Sequence, residues 1–255
     1  YHFANYFKKV FSRVVEGSIL GPVYDYRVKG VKLIVKHNDY DKIIKIYEDT
    51  IIIKGVKKLK GTIYNVISDR IEAGSYMLLA CSVETCNVVV ENVNSIYLDE
   101  VIDTIKELGV KVKIEENKIR IIKEYPIVGI NKKVSFYPSF PTDLQQILTV
   151  TCLSCITPSI IYDEVYPKRT SHIEEIKKAN GKVSLKNDKI YIEHSDIKGT
   201  NLYAHDLRCG FACIVLSLIS DSACSIDNFD LVLRGYENII EKLTDLKICI
   251  KKLNN

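Results

Sequence analysis

The sequence predicts an α/β fold built from three copies of one repeat: strand, buried helix, strand, amphipathic helix, then two short strands. Three observations carry this. Short β-branched runs alternate with longer stretches of helical periodicity, and the order recurs three times. Landmarks keep step, with Asp69, Asp143 and Asp206 spaced 74 and 63 residues apart, and Gly109, Gly181 and Asp245 spaced 72 and 64 apart. The first helix of each repeat is apolar nearly all round, as burial on every side requires, whereas the second has one polar face. Three buried helices enclosed by sheets and outer helices satisfy all three.

The first repeat opens with IIIKGV and GTIYNVI, alternating and β-branched, hence strands. DRIEAGSYMLLACSV is its buried helix, with Asp69 as cap and Glu72 three residues on, as in a capping box. CNVVVENV is a strand. LDEVIDTIKELG sets Leu98, Val101, Ile102, Ile105 and Leu108 on one helical face, and Gly109 ends it. VKVKIEEN and KIRIIKEY read as a hairpin. In the second repeat VSFYP leads into PTDLQQILTVTCLSC, a helix with Pro141 near its first turn and Asp143 at its opening. SIIYDEV is a strand, HIEEIKKANG an amphipathic helix stopped at Asn180-Gly181, and KVSLKND and KIYIEHS are strands. The third repeat runs LYA, then HDLRCGFACIVLSLIS with Asp206 as cap, then the strand ACSIDNF. YENIIEKLTDLK puts Tyr236, Ile239, Ile240, Leu243 and Leu246 on one face, and KICIKKL closes the repeat. Residues 48–255 hold the three repeats. Residues 1–47 do not fit them and are expected to be a strand-rich linker or the remnant of another domain.

With 255 residues, 47% hydrophobic and 27% charged, the chain suits a soluble globular protein and argues against disorder. The longest apolar run, Cys209 to Ile219, falls short of the roughly 18 residues that a membrane span needs. The first residues carry charges through their middle, unlike a signal peptide. The chain lacks an initiator Met, which suggests a fragment or a trimmed product. A net charge of +4 is weak for a nucleic-acid binder, and the basic run KGVKKLKG reads as a solvated turn. Of the eight cysteines, Cys81, Cys152, Cys155, Cys209 and Cys213 sit in apolar segments, as small buried hydrophobes kept reduced in a cytosolic compartment. Cys152 and Cys155 form a lone CxxC, and the five His make no paired motif, so no metal site is expected.

Charged residues gather where strand meets buried helix: Asp69 and Arg70, Asp143, and Asp206 with Arg208. Arg169 and Arg234 each precede a helix of the second type. Singly, these are caps and salt bridges. Related by rotation, the helix N-termini point to one end of the domain, where free N–H groups, helix dipoles and arginine forks make an anion-binding surface. In that positive setting Asp143 stays ionised and can accept a proton.

At these motifs the sequence resembles the enolpyruvyl transferase family. The matching stretches are IIIKGVKKLKGTIYNVISDRIEAGSYMLLA, SFPTDLQQ, AHDLRCGFACIVL and LRGYENIIEKL, in the family's order over about residues 48–253. The resemblance implies an inside-out α/β barrel of three repeats, one of two such domains with the active site between them. It implies transfer of enolpyruvate from phosphoenolpyruvate to the 3-hydroxyl of UDP-N-acetylglucosamine, in cytoplasmic peptidoglycan synthesis, with no cofactor and no nucleic-acid or membrane partner. Asp143 is then the base that binds the sugar hydroxyl, and Arg234 holds phosphoenolpyruvate. Asp206 and Arg208 shape the site, Val165, Tyr166 and Arg169 meet the nucleotide sugar, and Asp69 and Arg70 join the substrate-binding set.

Departures bear on this. Tyr166-Pro167-Lys168-Arg169 stands where the family has F-E-N-R, and Cys209 replaces a small residue. The family's Lys-Asn pair, its loop with a reactive Cys and a partner Arg have no counterpart. His2 to Lys9 echo a helix of the other domain. Little or no turnover is expected from this chain alone. The competing reading is a non-catalytic sugar-nucleotide-binding or regulatory paralogue. The sister enzyme of aromatic amino-acid synthesis shares fold and chemistry but matches the motif contexts less well.

Overall fold

The computed structural model describes residues 26–28, 31–34, 44–46, 50–53, 63 and 66–251. They belong to two units, Tyr1–Ile67 and Ser68–Asn255. The first holds a four-stranded sheet, ordered β1-β2-β4-β3, of β1 (Tyr26–Val28), β2 (Val31–Ile34), β3 (Ile44–Ile46) and β4 (Thr50–Ile53). β2 and β4 run parallel, and the two outer pairs are antiparallel. β4 takes in the opening of IIIKGV. The rest of that run, KGVKKLKG and His2 to Lys9 lie outside the described residues. GTIYNVI is not a strand where it is described: Ile63, Val66 and Ile67 pair with no neighbour, and Ile63 and Val66 are exposed.

The second unit follows the repeat order. Repeat one comprises α1 (Arg70–Ser82), β5 (Cys86–Glu91), α2 (Asp99–Glu107), β6 (Lys111–Glu115) and β7 (Lys118–Lys123). Repeat two comprises β8 (Asn131–Val134), α3 (Gln145–Thr151), β9 (Ser159–Asp163), α4 (Ser171–Lys178), β10 (Val183–Lys186) and β11 (Lys189–Ile192). Repeat three comprises β12 (Asn201–Tyr203), α5 (Leu207–Leu218), β13 (Ser225–Asp227) and α6 (Ile239–Asp245). Each repeat keeps its own sheet, ordered β5-β7-β6, β8-β9-β11-β10 and β12-β13. β8 with β9 and β12 with β13 are parallel, and the remaining pairs are antiparallel.

The three apolar helices α1, α3 and α5 pack on one another and fill the core. Met77, Leu78, Leu148, Phe211 and Val215 are wholly buried between them. Two glycines lie where 3-10 segments pack tightly against these helices. A Cβ on Gly74 of α1 would stand 2.5 Å from Leu144 Cδ1, and one on Gly210 of α5 would stand 2.4 Å from Val232 Cγ2. At the C-terminal ends Ser82 Oγ and Thr151 Oγ1 share a hydrogen bond at 3.0 Å and Ser154 Oγ donates to the Ser82 carbonyl at 3.1 Å, so α1 and α3 are tied by hydroxyls. Cys81, Cys152, Cys155, Cys209 and Cys213 are buried and unbridged, as their apolar contexts indicate. The face of α2 expected from Leu98, Val101, Ile102, Ile105 and Leu108 is buried throughout.

The outer helices share one ending. A left-handed residue follows each: Gly109 (φ 91), Asn180 (φ 66) and Lys247 (φ 65). In each the next N–H reaches back over the turn, Val110 to Ile105, Gly181 to Ile176 and Ile248 to Leu243, at 3.2, 2.8 and 3.0 Å. This is the Schellman motif, which satisfies carbonyls the helix leaves open. The matching positions are therefore Gly109, Asn180 and Lys247, not Gly109, Gly181 and Asp245. The third keeps the turn although Lys bears a Cβ.

Three further elements, all in the second unit, depart from the sequence expectation. The second buried helix is broken into a 3-10 turn (Thr142–Leu144), α3 and a second 3-10 turn (Cys152–Ser154). Asn238 is left-handed (φ 51), so α6 starts only at Ile239, Tyr236 lies in the turn before it and Ile240 faces outward. Residues 248–251 of KICIKKL form no strand, so the third repeat shows no closing hairpin among the described residues.

An inward position on β7 carries a charge. On β7 the inward residues are Ile119, Ile121 and Lys123, each at most 5% exposed. Lys123 Nζ donates to the Cys81 carbonyl at 3.0 Å and the Val83 carbonyl at 2.5 Å, at the C-terminal end of α1, where no basic residue of the helix itself lies. It serves as a cationic cap on the negative end of the helix dipole, and burial lowers its pKa. Lys123→Met keeps the aliphatic stem and removes the donors. It should lower unfolding stability by about 1–3 kcal/mol, read as a fall in the urea midpoint at unchanged slope.

Candidate active site

Pro141 has no N–H to give, and the chain enters α3 through the 3-10 turn Thr142–Leu144. This decides what the three landmark aspartates do. Asp69 and Asp206 cap their helices: Asp69 Oδ1 accepts from the Ile71 and Glu72 N–H groups at 2.7 and 3.3 Å, and Asp206 Oδ1 from those of Arg208 and Cys209 at 2.8 and 2.9 Å. Asp143 lies inside the turn and makes no cap. Its carboxylate is left to side chains. Arg169 Nη1 donates to Oδ1 at 2.8 Å and Arg208 Nη2 to Oδ2 at 3.3 Å.

The two guanidiniums are largely enclosed, with Arg208 14% and Arg169 26% exposed, and Asp143 is 37% exposed. Burial by itself raises the Asp143 pKa. The hydrogen bond from Arg169 and the charge of Arg208 outweigh it and hold the carboxyl below its ordinary range. Asp143 is therefore ionised at neutral pH, as its positive surroundings lead one to expect.

A second circle of bonds fixes these groups. Arg208 Nη1 donates to Tyr236 Oη at 3.2 Å, and Tyr236 Oη lies 2.8 Å from Ser75 Oγ of α1. Gln146 Nε2 and Ser171 Oγ both donate to Asp206 Oδ2 at 3.4 Å. Asp163, at the end of β9, ties two loops together. Its Oδ2 accepts from Thr142 Oγ1 at 2.6 Å, and its Oδ1 accepts from the N–H groups of Val165 and Tyr166 at 2.8 and 3.0 Å. The Asp143 turn and the Arg169 loop are thereby held in register. The Arg169 guanidinium lies 4.6 Å from the centroid of the half-exposed Tyr166 ring, a cation–π contact.

Asp143, Val165, Tyr166, Arg169, Asp206 and Arg208 thus converge. Asp69 reaches the cluster only through its charge on Tyr236. Arg70 stacks on Tyr137 at 5.1 Å. Arg234 ends the 3-10 stretch Phe229–Arg234, is exposed, and makes no hydrogen bond or ion pair among the described residues. Sequence reasoning missed Ser75, Gln146, Asp163, Ser171 and Tyr236. A serine amid an all-apolar helix and a tyrosine beside an arginine motif were the available signals for two of them. Among the described residues no group of three or more His, Cys, Asp or Glu is placed to hold a metal ion. No helix there is long and apolar enough to cross a membrane.

His172, next to Ser171 in α4, is fully buried, and burial pushes its pKa down to about 3 against a weaker opposing pull from Asp206. An unfolded histidine protonates near its ordinary value, so between the two values acid favours the unfolded chain. The contribution is complete above about pH 6.5 and declines by about 1.4 kcal/mol per pH unit below it. His172→Leu should flatten the stability profile, gaining about 2 kcal/mol relative to wild type between pH 6.5 and 5. Urea midpoints at the two pH values measure this.

The family model for EPSP synthase (3-phosphoshikimate 1-carboxyvinyltransferase) matches residues 41–243. A UDP-N-acetylglucosamine 1-carboxyvinyltransferase 2 of Staphylococcus epidermidis is 37% identical over 194 residues, 76% of this chain and 46% of that protein. The corresponding protein of Streptococcus mutans is 39% identical over 199 residues, 78% of this chain and 47% of that one. The chain spans about half the length of the curated relatives it matches. Among solved structures, the enolpyruvyl transferase NikO from Streptomyces tendae superposes with a TM-score of 0.73 at 17% identity, over 83% of this chain and 52% of that one. An EPSP synthase from Acinetobacter baumannii gives 0.60 at 19% identity, over 82% and 54%.

Proposed function

The chain belongs to the EPSP synthase family of enolpyruvyl transferases, and from that premise we propose that it carries the base and sugar-nucleotide side of a UDP-N-acetylglucosamine enolpyruvyl transferase of peptidoglycan synthesis. The observation that carries the proposal is the carboxylate of Asp143, released from capping and gripped by two arginines. In this reading the sugar 3-hydroxyl loses its proton to Asp143 as its oxygen bonds to C2 of phosphoenolpyruvate and the C2–C3 π electrons take a proton from water at C3. The C2–O bond to phosphate then breaks, phosphate leaves with the electron pair, and C3 returns a proton to water, which restores the double bond in the enolpyruvyl ether. A carboxylate bound by two arginines is a weak base. Anionic groups of the substrates compete for Arg169 and Arg208 and so raise its basicity when both are bound.

The remaining roles follow the same premise. Arg234, exposed and unpaired among the described residues, meets phosphoenolpyruvate. Val165, Tyr166 and Arg169 face the nucleotide sugar, Asp206 and Arg208 shape the site, and Asp69 and Arg70 line it from α1. The three repeats, taken from residue 48 where the family motif opens, form one inside-out α/β barrel. The protein works in the cytoplasm with no cofactor. The replacement of the family's acidic residue and amide by Pro167 and Lys168 supports a second reading, a sugar-nucleotide-binding paralogue without turnover.

Phosphate release from phosphoenolpyruvate in the presence of UDP-N-acetylglucosamine separates the two. Because the chain spans about half of its relatives, it alone should show little or no turnover. Supplied with the missing half, it should turn over, and Asp143→Asn should lower kcat by about 10²–10⁴-fold. Calorimetric binding of UDP-N-acetylglucosamine without phosphate release in the supplemented protein would favour the binding paralogue. Turnover unchanged in Asp143→Asn would remove Asp143 as the base.

A further inference from the structure

The hydroxyl of Tyr236 has a direction that the hydrogen bonds determine. Ser75 Oγ donates its single proton to the Ile71 carbonyl at 2.7 Å. With its proton so placed it accepts from Tyr236 Oη at 2.8 Å, an arrangement that gives both hydroxyl protons an acceptor. This leaves the phenol oxygen's lone pairs for Arg208 Nη1 at 3.2 Å. The other arm of the same guanidinium, Nη2, reaches Asp143. Arg208 is therefore the source of the chain of bonds: it donates to Asp143 on one side and to Tyr236 on the other, and from Tyr236 the bonds run through Ser75 to the Ile71 carbonyl of α1.

The phenol is rigidly held. Tyr236 is 1% exposed, its ring stacks on Phe211 with centroids 4.4 Å apart, and Phe211 meets Tyr76 edge-on at 5.5 Å. A fixed acceptor sets the plane of a planar, five-donor guanidinium far better than water does. We propose that Tyr236 is a positioning residue for the transfer reaction, its hydroxyl holding the Arg208 guanidinium in the plane that grips Asp143. The proposal rests on Asp143 being the base and adds what sets its strength.

The charged and titratable groups that bear on this chain of bonds are few. Arg169 and Arg208 act on Asp143. Arg208 and Asp69 act on Tyr236, and Tyr236 in turn acts on Tyr76. Tyr236→Phe preserves the ring stack and removes only the oxygen. Arg208 Nη1 then lacks its acceptor and the guanidinium turns toward water, so the Asp143 carboxyl loses part of its cationic partner and rises toward its ordinary range.

The experiment is a carbon-13 NMR titration of the Asp143 side-chain carboxyl in the 255-residue chain, assigned by its disappearance in Asp143→Asn. Tyr236→Phe should raise the midpoint by about one pH unit, a tenfold gain in proton affinity. Ser75→Ala leaves the phenol in place but frees its proton, and should raise the midpoint by less. If Tyr236→Phe does not fold, Ser75→Ala alone decides, and an unmoved midpoint in it overturns the proposal. A midpoint unmoved in both, whatever happens to the melting temperature, reduces Tyr236 to a packing residue. The titration needs no substrate, so it stands apart from the functional reading. A raised midpoint with no matching shift in the acid limb of kcat/KM of the supplemented protein would instead remove Asp143 as the base.

Discussion

The site depends on one guanidinium shared between two acceptors. Arg208 comes from the third repeat, Asp143 from the second, and Tyr236 hands the contact on to Ser75 in the first. A cation enclosed to this degree is stable only where its donors are met and its charge is opposed. One acceptor lies in the second repeat and the other in the third, and Ser75 of the first repeat holds the phenol, so all three repeats meet around this cation. The tight contacts at Gly74 and Gly210 serve the same end, because a Cβ at Gly74 would meet Leu144 in the turn that carries Asp143, and one at Gly210 would meet Val232 in the 3-10 stretch that leads to Tyr236.

The repeat is regular where it is structural and irregular where it is chemical. All three outer helices end in a Schellman turn, and two of three inner helices begin with an aspartate cap. The exception is the second inner helix, where Pro141 and a 3-10 turn withhold Asp143 from the backbone. A carboxylate relieved of capping is free to bind side chains. Local rules broken without local compensation are expected at functional sites, and Asp143 is compensated only by arginines from distant segments.

The interior also holds polar groups. Lys123 occupies an inward position on a strand whose other inward residues are isoleucines, yet its amine finds the carbonyl end of α1. Glu175, wholly buried on α4, accepts from Lys178, His205 and the Tyr203 N–H, which ties α4 to the segment that leads into Asp206. Burial opposes its charge, but those three donors prevail and keep its carboxyl below the ordinary range. These contacts use charge to join elements that the sequence separates, Lys123 joining β7 to α1 and Glu175 joining α4 to the segment that opens α5.

The sequence by itself determined the repeat, its order and most element types, because periodicity, caps and stop signals act over a few neighbouring residues. The buried face of α2 and the caps at Asp69 and Asp206 were legible for that reason. So was the set of charged residues at the strand–helix junctions. The broken entry to α3, the late start of α6 and the non-strand course of residues 248–251 were not. The first two turn on a local backbone choice, a 3-10 turn or a left-handed asparagine, and the third on pairing, which no short run of residues decides by itself. Only the tertiary structure decided which charged residues meet. Arg169 and Asp143 are 26 residues apart, Arg208 and Asp143 are 65 apart, and Ser75 and Tyr236 are 161 apart. No local pattern spans such distances. Packing of the three inner helices brings their N-terminal ends together, and the need to satisfy an enclosed cation then selects the partners.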